Sequence, residues 1–170
     1  MTPNPSIRLG SVMQTLEQVV FPAVDPSNSL AVEQCGVIAA QLKMFLRHLP
    51  VIAVYHSLCR DDLVATVNNL PVAAGGALTK AAATNLQCCL KDAARDTDAA
   101  AAFHHLGFAL EDLLRAAARD GAPDYRAAMN EDVFRFAKRQ KDRERIWFKD
   151  AGFDPRPEEL PDLETMLAGN

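Results

Sequence analysis

The chain has 170 residues, 49% of them hydrophobic and 24% charged, with 18 basic residues against 22 acidic ones for a net charge of −4. That composition excludes a disordered chain and argues against a whole-surface affinity for nucleic acid or anionic membrane. It is about one domain's worth of protein, large enough to bury a core without disulfides or a structural metal.

Apolar residues recur at helical spacing along most of the chain, and β-type alternation is nearly absent. Leu9, Val12, Met13, Leu16, Val19 and Val20 form the first helical stripe, which Pro22 and Pro26 close. Ser27, Asn28 and Ser29 are N-cap residues for a second helix over about Leu30–Leu49, with Glu33 placed to assist. Its apolar face is broad: Ala31, Cys35, Ile38, Leu42, Phe45 and Leu49 make one stripe, widened by Val37, Ala40 and Met44. Pro50 breaks or kinks the chain, because proline removes a backbone donor and collides with the preceding turn. A third helix then carries Ile52, Tyr55, Cys59, Leu63, Val67 and Leu70.

The stretch from Pro71 to Gly76 is a linker. An alanine-rich helix follows over about Leu78–Ala94, and Thr97 is placed to cap a fifth with Phe103, Leu106, Leu110, Leu113 and Leu114 on one face. Gly121 and Pro123 end it. Alanines in both helices permit close approach, so the two read as an antiparallel hairpin.

The last helix, about Tyr125–Ala151, starts with an ordinary stripe and then meets eight consecutive polar residues, Lys138 to Arg145. At 1.5 Å per residue it is about 40 Å long, which predicts a helix running past the bundle through solvent. Beyond it, Gly152 and three prolines predict an irregular acidic tail with a short turn near Leu163–Leu167. The expected fold is all-α: an antiparallel helical bundle of five to six helices with a long, overhanging C-terminal helix. Residues 1–151 form the single domain and residues 152–170 the tail.

Three sets of residues are candidates for function. Ile146, Trp147 and Phe148, with Phe153 in the tail, are large apolar groups beyond a polar spacer, and burying each is worth roughly 1.5–3 kcal/mol. They mark either a satellite core closed by the tail or a homodimer interface. Lys138, Arg139, Lys141 and Arg145 are candidate anion contacts in a run with seven basic and two acidic residues between Arg135 and Lys149. The acidic tail and mixed local pairing favour a solvated helix face instead. Tyr55, His56 and Cys59 lie within about one helical turn and are candidates to line a small-molecule pocket.

The remaining histidines and cysteines suggest no metal site, since a bundle metal needs three or four converging ligands and no Glu-x-x-His pair occurs. No nucleophile elbow, Cys-x-x-Cys pair or phosphate-cradling glycine loop is present. Cys88 and Cys89, adjacent on a helix, diverge and are the remaining thiol candidates.

The first expectation is a non-enzymatic interaction module, a homodimer or the partner of another protein, with no cofactor and no metal. A bundle with an internal pocket near Tyr55 and His56 is the alternative, and a metal-dependent or thiol enzyme the third. Four cysteines read as reduced thiols, the absence of a basic, apolar leader, and apolar runs too short to span a bilayer predict a cytoplasmic protein without a membrane contact.

Overall fold

The computed structural model describes residues 4–152 and 154–168. Seven α-helices and no strands occur among the described residues. They are α1 (Pro5–Thr15), α2 (Ser29–His48), α3 (Ile52–Asn69), α4 (Ala77–Ala93), α5 (Ala99–Asp120), α6 (Pro123–Trp147) and α7 (Leu163–Ala168). The all-α reading therefore holds. The count slightly exceeds five to six because the short turn expected near Leu163 is a helix of its own.

Boundaries follow local chemistry. α1 begins four residues before its apolar stripe because the Asn4 side chain accepts from the Ser6 amide at 3.0 Å, and Pro5 fits the first helical position. After Thr15 the helix widens into a π turn over Leu16–Val20 and then a 3₁₀ turn that contains Pro22. Asn28 caps α2 by accepting from the Ala31 amide at 3.1 Å. For α5 the cap is Asp98 rather than Thr97, with its carboxylate accepting from the amides of Ala100 and Ala101. A carboxylate at a helix N-terminus also gains from the helix dipole, which a threonine does not.

The chain divides into two compact units. The first comprises residues 1–52 and 145–162, the second residues 53–144 and 163–170. In the second unit Leu63, Leu86, Leu106, Leu113 and Met129, all at most 2% exposed, form the centre of one hydrophobic core with α4 and α5 as its main pair. α4 and α5 are antiparallel, as expected. The Asp120 carboxylate at the end of α5 accepts from the Leu78 and Thr79 amides at the start of α4, at 2.8 and 3.0 Å. Gly75 and Gly121 meet beside it, joined by bonds from Gly76 N–H to Asp120 O and from Ala122 N–H to Ala74 O. Gly75 has φ +151°, and a Cβ there would lie 2.7 Å from Asp120 O and Gly121 Cα, so glycine is required.

The first unit is built differently. α1 packs against α2, and the end of α2 meets the 3₁₀ turn Lys149–Ala151. No residue of α1 is buried, and in α2 only Met44 and His48 are.

Candidate functional site

Three places carry side chains that bear on function, two of them marked in the sequence. The first is the C-terminal apolar cluster, within the first unit. Trp147 is buried, and its ring stacks on His48 of α2 with centroids 3.9 Å apart and planes 27° from parallel. Burial lowers the His48 pKa, the Arg47 charge adds to this, and Asp150 and a hydrogen bond to the Trp147 backbone oppose it. Arg47 pairs with Asp150 beside the stack.

The tail is tied back by charge. Arg145 holds Asp154 through two bonds of 2.8 and 3.0 Å, and Lys149 donates to Leu160 O at 2.9 Å and Asp162 at 3.1 Å. The Arg145 bonds, with one from the Arg156 amide, bring Asp154 down to about 2. Ile146 is half-buried and Phe148 is 49% exposed, while Phe153 lies outside the described residues.

The second place is the α3–α6 contact of the second unit. Here the polar run is no bare spacer: Arg139 and Arg143 converge on Asp62, at 2.9 and 2.6 Å. Arg139 also donates to Thr66 Oγ1 at 3.1 Å. Burial raises the Asp62 pKa, but the bonds and charges of the two arginines outweigh it and hold the carboxyl below its ordinary value. One and two turns back along α3, Cys59 and Tyr55, both buried, share hydrogen bonds with each other and with Gln140. Burial pushes the Tyr55 hydroxyl and the Cys59 thiol up, so both stay protonated at neutral pH. Lys138 and Lys141 remain exposed. Of the four candidate anion contacts, Arg139 and Arg145 are thus occupied by Asp62 and Asp154.

The His56 ring lies beside Tyr55, with centroids 6.1 Å apart. It lines an open cleft of about 340 Å³ with Ala53, Ser57 and the α5 N-terminus from Thr97 to Ala100. Asp98 already caps that helix end. No group of three or more His, Cys, Asp or Glu residues that could hold a metal occurs among the described residues.

The third place is one that the sequence pattern showed only as a broad stripe. On α2, Leu30 is 66% exposed and Phe45 is 52% exposed, and Val37 and Ile38 between them are also exposed. Ala31, Cys35, Ala39, Leu42 and Leu46 are half-buried on the adjacent flank. α1 adds Val12 and the turn after it Val19, likewise exposed. Spacing shows that such a face is apolar; it does not show which half of the stripe a neighbour covers.

No single helix among the described residues is long and apolar enough to cross a membrane. Comparison with protein-family models, with curated proteins and with solved structures returned no match.

Proposed function

We propose that this protein is a non-enzymatic, cytoplasmic interaction module that associates with a protein partner, first of all a second copy of itself, through the apolar face of α2. The observation that carries this reading is the contrast between the two units. The second has a closed core, whereas α1 and α2 offer large apolar side chains with only Met44 and His48 buried. A helix with one apolar stripe must bury it against another element, and a contiguous exposed stripe marks an interaction surface.

The C-terminal cluster contributes less, since Trp147 already stacks on His48. The buried, protonated Tyr55 and Cys59 and the paired arginines supply structure rather than a reactive group. The cytoplasmic placement rests on the four cysteines being free thiols.

Light scattering on the purified chain tests the reading. The native protein runs at a mass above that of one chain, and Ile38→Glu, which places a charge on the exposed face, returns it to one chain. A native protein of one-chain mass at every concentration, with no partner whose binding Ile38→Glu weakens, overturns it.

A further inference from the structure

The exposed face of α2 has an internal symmetry that identifies its occupant. The six residues Leu30, Gln34, Val37, Ile38, Gln41 and Phe45 read the same in either direction: apolar, glutamine, two apolar, glutamine, apolar. At about 100° per residue, all six lie within about 50° of one line along the helix. Glu33, Lys43 and Arg47, the charged residues of this helix, each lie about 90° or more from that line. Lys43 is moreover paired with Glu17 at 3.0 Å.

We propose that a second copy of this chain docks here, α2 against α2 in antiparallel orientation, about a two-fold axis passing between Val37 and Ile38. The inference rests on the interaction reading above and supplies its partner and geometry. A two-fold contact is self-complementary, so each residue must suit the one the axis sets opposite. The axis places Leu30 opposite Phe45 of the second copy, Val37 opposite Ile38, and Gln34 opposite Gln41. Apolar groups thereby meet apolar groups, and each glutamine amide meets another that offers both a donor and an acceptor.

The face carries no charge, so a copy approaching its own kind meets no like-charge repulsion, and charge depletion is the compositional mark of an interface centre. About sixteen residues of helix, roughly 24 Å long and 10–12 Å across, present a strip of roughly 240–290 Å² on one side. Two facing copies therefore cover about 500–600 Å² through this strip, an area that fits a weak, concentration-dependent dimer.

A charge swap tests this. Leu30→Glu and Phe45→Lys are made singly and together in the full chain, and self-association is followed by sedimentation. Both sites are exposed within one chain, so the fold is left intact, which circular dichroism checks. Within one helix the two positions lie about 22 Å apart and cannot pair with each other.

The expected result is that each single change weakens the dimer about ten-fold or more and the double variant regains most of the loss, because the axis sets each introduced carboxylate opposite an introduced ammonium of the other copy. If the singles dissociate the dimer and the double variant stays dissociated, the antiparallel geometry is overturned while the face remains an interface. A native dimer indifferent to all three variants overturns both the geometry and the interaction reading at this face. A native monomer that co-sediments with phosphatidylcholine–phosphatidylserine vesicles overturns the second copy as occupant and assigns the face to a lipid surface.

Discussion

His48 and Trp147 lie 99 positions apart in sequence yet stack with ring centroids 3.9 Å apart. Burial and the neighbouring Arg47 favour the neutral imidazole, so the His48 pKa falls below its ordinary 6.5, against the opposing pull of Asp150. For a pKa lowered by folding, the stabilisation is fully present above the unfolded value and is lost as pH falls through the folded one. Trp147 is the sole tryptophan, and its fluorescence reports this directly. The emission holds steady above about pH 7 and changes on acidification with a midpoint below about 6.5. His48→Gln removes that midpoint, and a midpoint above about 6.5 in the native chain contradicts the assignment.

Asp62 anchors two arginines, and Arg143 is only 14% exposed at its side chain. Asp62→Ala leaves that guanidinium half-buried without its carboxylate and costs about 2 kcal/mol, less than a fully buried pair because Arg139 can turn to water. Urea unfolding measures it. Both Asp62 and Asp154 have lowered pKa values, so their contributions are complete above the ordinary carboxyl value, shrink below it, and are gone only once pH has fallen through the lowered value, about 2 for Asp154. Stability therefore declines as pH drops under about 4. Asp62→Ala flattens part of that decline.

Much of this fold was legible because it is local. The stripes of α2, α3 and α5, the cap at Asn28 and the stop at Gly121 each depend on residues within a turn or two. The candidate sites were less legible, because their partners are distant. Nothing around Lys138–Arg145 reveals that Arg139 and Arg143 meet an aspartate 77 and 81 residues earlier. Asp61 and Asp62 read alike in sequence, yet only Asp62 faces α6. Trp147 announced itself as a group needing cover, but not that the cover is His48. The broad face of α2 was visible while its exposed half was not, because coverage is decided by where neighbours pack.

Glycine substitutions separate backbone strain from helix propensity. Gly75→Ala forces a side chain onto a backbone at φ +151° and into Asp120 O, so it destabilises by about 1–3 kcal/mol. Gly107, inside α5, has nothing within 4 Å of where a Cβ would stand. Gly107→Ala therefore stabilises by about 0.5–1 kcal/mol. Thermal unfolding of the two variants moves in opposite directions.

The core and the α2 face respond differently to truncation. Leu106 is fully buried, so Leu106→Ala costs about 2–5 kcal/mol of folding stability. Ile38→Ala, at a position 44% exposed, changes the stability of the isolated chain by under about 1 kcal/mol and weakens self-association instead. Unfolding measured at low and high protein concentration separates the two effects, because only the second depends on concentration.

Hydrogen exchange on the native chain beside Ile38→Glu tests which surface associates. At a concentration where the native chain is dimeric, amide exchange over residues 30–45 is expected to be slower in the native protein than in the variant, with the second unit unchanged. Equal exchange over residues 30–45 in the two proteins, or protection that instead concentrates at residues 146–148, would contradict association through α2.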